Sequence, residues 1–156
     1  MLLRRSVGVI LVGLATVGVA ACDDDEGPSA EVFGATLTGA AERPNMVTTT
    51  ATGTARIEFT TTGLIYTVNV TGIANVTAAH IHGSATQEQS AGVILNLNPN
   101  TTVTTGLLAQ GTATATNSQT IGMDSLKALI RAGLTYVNVH NQANTSGHIR
   151  GQLTRQ

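Results

Sequence analysis

Tryptophan is absent from this 156-residue chain, and only Phe33, Phe59, Tyr66 and Tyr136 carry aromatic rings. A core without large rings must be assembled from Val, Ile, Leu and Ala, which suffices for a domain of about a hundred residues with a thin stability margin. Charge is scarce too: 11% of residues are charged, eight basic against nine acidic. No basic stripe exists, which removes nucleic acid from the partners to consider. The single cysteine, Cys22, excludes an intrachain disulfide. The longest apolar run, Val7 to Ala21, is broken by glycines and falls short of the roughly 20 residues a membrane-spanning helix needs.

What is present begins with that run. Arg4 and Arg5 precede it, and Val19-Ala20-Ala21 leads into Cys22. The form is that of a secretory leader, and its ending resembles a bacterial lipobox, in which the cysteine becomes the lipidated first residue of the mature protein. Residues 1–21 are therefore expected to be a lipoprotein signal peptide, and 22–30 a lipidated cysteine with an acidic tether. Four of the nine acidic residues lie together at Asp23, Asp24, Asp25 and Glu26, followed by Gly27 and Pro28, a composition that stays solvated. The expected location is outside the cytoplasm, anchored by lipid on the periplasmic or cell-surface face of a bacterial membrane. An aspartate directly after the cysteine resembles an inner-membrane retention signal, whereas in other lineages an acidic run accompanies surface export. With Cys22 acylated, thiol chemistry is excluded.

From residue 31 to 156 the chain alternates short β-rich runs with glycine and polar breaks, the rhythm of an all-β sandwich. Strands are expected at 32–38, 52–60, 64–71, 76–82, 92–97, 107–114, 135–140 and 147–153. Alternation is clearest where Leu64, Tyr66, Val68 and Val70 share one face, with Thr67 and Asn69 on the other. Thr60-Thr61-Thr62-Gly63 suits a hairpin turn, and 96–105 a polar loop. One segment has helical spacing: Leu126, Leu129 and Ile130 predict a short helix near 124–132. Asp124 or Ser125 is the expected cap, and Gly133 the stop.

All four histidines fall in two segments, Ala79-His80-Ile81-His82-Gly83 and Tyr136 to His140 running on to Gly147-His148-Ile149-Arg150-Gly151-Gln152. Histidine binds metal and moves protons near neutral pH. On strands, His80 and His82 share a face, as do Asn138 and His140, and likewise His148, Arg150 and Gln152. Ile81, Val137, Val139, Ile149 and Leu153 point the other way. If the three strands are neighbours, the histidines converge with Asn138, Arg150 and Gln152 on one polar patch.

The same residues carry a family resemblance. Phe33-Gly-Ala-Thr-Leu-Thr-Gly-Ala-Ala-Glu42-Arg-Pro44, Thr52-Gly53-Thr54-Ala55, Leu64-Ile-Tyr66, Ala79-His80-Ile-His82-Gly83, Gly92-Val-Ile-Leu95, Tyr136-Val-Asn-Val-His140 and Gly147-His-Ile-Arg-Gly-Gln152 together resemble the CHRD domain. This module was first described in chordin and occurs in many bacterial secreted proteins. The resemblance implies an immunoglobulin-like, Greek-key antiparallel β-sandwich of about eight strands, and no established activity. The family usually places an acidic residue before Ile-Arg-Gly, where this chain has His148.

Two functional expectations follow. One is a tethered module that binds an envelope protein or glycan and is not an enzyme. The other is a metal site. A His-x-His pair puts two imidazoles on one face with Cβ atoms about 6.5–7 Å apart, and His140 with His148 could complete an all-nitrogen set suited to copper or zinc. A hydrolase is disfavoured, since no Gly-x-Ser-x-Gly elbow or paired carboxylates occur, and Glu42, Glu58 and Glu88 sit in unrelated segments.

Overall fold

The computed structural model describes residues 30–118 and 121–156. The leader, Cys22 and nearly all of the acidic tether therefore lie outside the described residues. The chain runs β1 (Val32–Thr38), a 3-10 turn (Gly39–Ala41), β2 (Thr52–Phe59), β3 (Leu64–Thr71), β4 (Val76–Gly83), β5 (Val93–Asn96), β6 (Gly106–Ala113), α1 (Met123–Arg131), β7 (Thr135–Asn141), β8 (Ile149–Gln152) and β9 (Thr154–Arg155). Among the described residues, no helix is long and apolar enough to cross a membrane.

The fold is all-β with one short helix, as the strand rhythm implies. Its strands form one antiparallel sheet in the order β5-β4-β7-β8-β1-β2-β3-β6, with β9 also on β1. The two halves meet at a narrow seam, where Thr38 of β1 opposes Arg150 of β8 as their only register pair. The expected last strand is split. Residues 149–152 pair with β7, and then Thr154 and Arg155 continue along Gly34 and Phe33. Strand twist curls the sheet around one core, to which both halves contribute.

Alternation decides which side of each strand enters that core. Leu64, Tyr66, Val68 and Val70 are buried, while Ile65 between them is 40% exposed. Ala79 and Ile81 of β4, Val137 and Val139 of β7, and Ile149 of β8 join the same cluster. Each buried Leu, Ile or Val contributes about 1.5–3 kcal/mol relative to exposure. Helix α1 adds Leu126 and Ile130 to the core. Its Lys127 Nζ donates to the Thr60 carbonyl at 2.8 Å and lies 5.6 Å from the centre of the Phe59 ring. The cap differs from expectation: Gly122 occupies the N-cap without a side-chain bond, and Asp124 instead lies in the first turn, where a negative charge favours the helix dipole. Gly133, at φ 68, follows the last turn.

Packing Ala79, Ile81, Val137 and Val139 inward leaves the opposite face of β4, β7 and β8 to polar side chains.

Candidate metal centre

Strands β4 and β7 are hydrogen-bonded neighbours, with His80 opposite Asn138, His82 opposite Tyr136 and Ala78 opposite His140. His140 is thus diagonal to His80, a separation that ring side chains bridge. The ring centres lie 4.9 Å apart for His80 and His140, 5.5 Å for His80 and His82, and 5.6 Å for His82 and His140. One nitrogen from each ring falls within 4.8 Å of the other two. His82 and His140 are buried and His80 is partly exposed.

Hydrogen bonds fix which nitrogens are bare. His82 Nδ1 lies 2.9 Å from the Ala91 carbonyl. A carbonyl only accepts, so Nδ1 carries the proton and Nε2 presents a lone pair. That Nε2 is buried and has no partner. His140 Nδ1 likewise donates to the Thr145 carbonyl at 3.1 Å, and its Nε2 accepts from His80 Nδ1 at 3.1 Å. All three rings are held neutral. Burial is the leading cause in each case and pushes His82 down to about 4, and at His80 and His82 a proton on one ring would also be disfavoured by charge on its histidine neighbours, with Arg150 adding to this at His82. Neutral imidazoles steered by carbonyls on their far nitrogens are how proteins prepare histidine ligands. Tetrahedral zinc with bonds of about 2.0–2.1 Å needs its nitrogens about 3.3 Å apart, close to the 3.1 Å between His80 Nδ1 and His140 Nε2, so an ion there takes the place of the proton between them, which moves to His80 Nε2.

A strap of residues 84–91 crosses this face. Tyr136 stacks parallel on His82, with centres 4.9 Å apart and planes 4° from parallel. The Tyr136 hydroxyl donates to the Ala91 carbonyl and accepts from the Ala91 N–H, so one residue of the strap holds both rings. The Arg150 guanidinium carbon lies 3.5 Å from the Tyr136 ring centre. Arg150 is 1% exposed, and its Nη2 donates to the carbonyls of Thr86 and Gln87. Gln152 Nε2 donates to those of Ala85 and Gly133. Arg150 and Gln152 thus support the strap.

Asn138 has a partner that sequence spacing did not reveal. Its Nδ2 donates to Glu42 Oε2 at 3.3 Å, while Glu42 Oε1 and Asn138 Oδ1 are buried without partners. Glu42 is 2% exposed. Burial raises its carboxyl to about 7, against the opposing pull of the Asn138 hydrogen bond and the Arg150 charge. Gly147, at φ 141, closes over the pair. A Cβ there would sit 2.5 Å from Glu42 Oε2 and from Asn138 Nδ2. Only glycine fits both the backbone and the space.

His148 stands apart from the trio. It precedes β8, accepts from Asn144 Nδ2 at 2.8 Å through Nδ1, and donates from Nε2 to Thr49 Oγ1 at 3.1 Å. Both nitrogens are engaged, so its role is to fasten the segment before β2 to the β7–β8 turn. His148→Ala is expected to lower stability by about 1 kcal/mol in urea titration and to leave metal affinity unchanged; a tenfold loss of affinity would return His148 to the ligand set.

Comparison with known proteins adds one finding. A family model described as CHRD domain matches residues 33–153, a span that contains every residue of the polar face. No curated protein and no solved structure matches the chain.

Proposed function

The chain belongs to the CHRD domain family over residues 33–153, and from that premise we propose that it is an extracytoplasmic binding module holding one copper or zinc ion between His80, His82 and His140. The family supports an extracellular-type binding or structural module; the ion is our reading of the site. The supporting observation is that the Ala91 and Thr145 carbonyls hold the Nδ1 protons of His82 and His140, which leaves His82 Nε2 without a partner and turns His140 Nε2 to His80.

Calorimetric titration with zinc, and chelator competition with copper in both oxidation states, test the site. The expected result is one ion per chain with micromolar or tighter affinity, weakened at least about a hundredfold in His80→Ala/His82→Ala. Absence of micromolar binding by every ion would end this reading.

The lipobox-like Val19-Ala20-Ala21-Cys22 supports attachment of the module to a bacterial membrane, facing an envelope protein or glycan. A polar cleft of about 450 Å³, lined in part by Glu42, Asn144 and Ser146, offers such a partner a foothold. Cys22→Ala is expected to move the protein from the membrane fraction to the soluble one. Unchanged partitioning would refute the anchor.

A further inference from the structure

The trio and its surroundings also bear on which ion it holds, and in which oxidation state; this inference rests on the metal-binding reading above. The three rings supply neutral nitrogen, and no carboxylate belongs to the group. Asp124 lies in α1, Glu42 is turned to Asn138, and His148 is spent on Asn144 and Thr49. Among the described residues the group thus offers three donors and no negative charge. Zinc almost always takes four ligands, so three histidines hold it only with a water or another group in the fourth place. A cuprous ion is satisfied by three. Imidazole accepts copper and zinc alike, so charge and coordination number make the choice.

Charge points the same way. The nearest fixed cation is Arg150, buried against Tyr136, which in turn stacks on His82. One aromatic ring separates the guanidinium from a ligand. Each unit of positive charge brought to the site works against that cation, at a cost on the order of tenfold in affinity for an effective dielectric of about 20. A dication meets twice the penalty of a monocation. Glu42, which acts on Arg150 in this network, offsets it only in part, because burial raises its carboxyl to about 7 and leaves it partly protonated near neutral pH. Geometry permits a three-coordinate ion. Bonds of about 2.0 Å need nitrogens about 3.5 Å apart, so the widest separation, at most 4.8 Å, closes through side-chain torsions.

We propose that the three-histidine site selects monovalent copper over zinc and over cupric copper. The test is anaerobic competition of the purified full chain with bicinchoninate for cuprous copper, alongside zinc competition against a pyridylazo chelator. The cuprous affinity is expected to exceed the zinc affinity at least about a hundredfold, and the cupric form, followed by electron paramagnetic resonance, to be reduced readily by ascorbate. Arg150→Gln keeps an N–H donor for the strap and should narrow the cuprous-to-zinc ratio about tenfold, whereas Arg150→Lys should preserve it. The comparison in the unmodified protein decides the matter even if the variants fold poorly. Zinc or cupric copper bound as tightly as cuprous copper would overturn the preference while leaving the site standing. Retention of no ion at all would instead bring down the metal-binding reading itself.

Discussion

Replacing Glu42 with glutamine is expected to change how the stability of this protein depends on pH. The folded state raises the Glu42 carboxyl from 4.5 to about 7, so it favours the protonated form. A group raised in this way contributes stability that is fully present below about pH 4.5 and is lost as pH climbs through about 7. A shift of that size corresponds to about 3 kcal/mol. The histidine trio acts in the opposite sense over much of the same window. Its members are lowered from 6.5, His82 to about 4, so their contribution is present above pH 6.5 and fades as acid protonates them. In the native chain the two slopes partly cancel. Glu42→Gln removes one of them and supplies a neutral amide that can donate to Asn138. Urea titrations between pH 4 and 8 should show the variant gaining stability up to about pH 6.5, holding it above that, and exceeding the native protein by about 2–3 kcal/mol at pH 8. Parallel curves for the two proteins would mean that Glu42 is ionised in its buried position.

Truncating Arg150 to alanine should cost about 3–5 kcal/mol, from the cavity a large buried side chain leaves and two carbonyls that lose their donor. Arginine is rarely fully buried, and here it is 1% exposed. Its guanidinium covers the face of Tyr136 and satisfies the carbonyls of Thr86 and Gln87. Alanine leaves a void over the ring and removes the donor from two strap carbonyls. The effect reaches the histidines, because the strap also carries Ala91, whose carbonyl sets the His82 proton. Arg150→Ala should therefore show early proteolysis within 84–91 and weaker metal retention as well as a lower denaturation midpoint. Arg150→Met, which restores bulk but no donor, should fall between the two. A loss below about 1 kcal/mol for the alanine variant would show that the strap is held by other means.

What could be read from the sequence, and what could not, divides along locality. The strand of Leu64, Tyr66, Val68 and Val70 announces itself because one face is buried and the other is not, and parity alone places His80 and His82 together. The meeting of those two with His140 needed the β4–β7 register, which the pleat leaves open and long-range pairing sets. His148 shows the limit of parity: it lies before the start of β8 and follows Gly147, whose backbone redirects the chain. Glu42 reaches Asn138 across 96 positions, and no spacing rule signals such a contact. The helix was visible in Leu126 and Ile130, but its cap was not, because Gly122 begins it with no side-chain oxygen to mark the place.

The way the chain enters the sheet has a mechanical consequence. Glu31, the residue before β1, is tied to Arg131 and Arg155 and accepts a backbone bond from Phe59. From there β1 runs alongside β2 through every residue from Val32 to Thr38, with bonds perpendicular to the strands. A pull from the amino-terminal side, with the far end of the sheet held, loads that whole row in shear, so its bonds must yield together instead of opening one by one. A load entering through β1 thus falls on the strand that joins the two halves of the sheet.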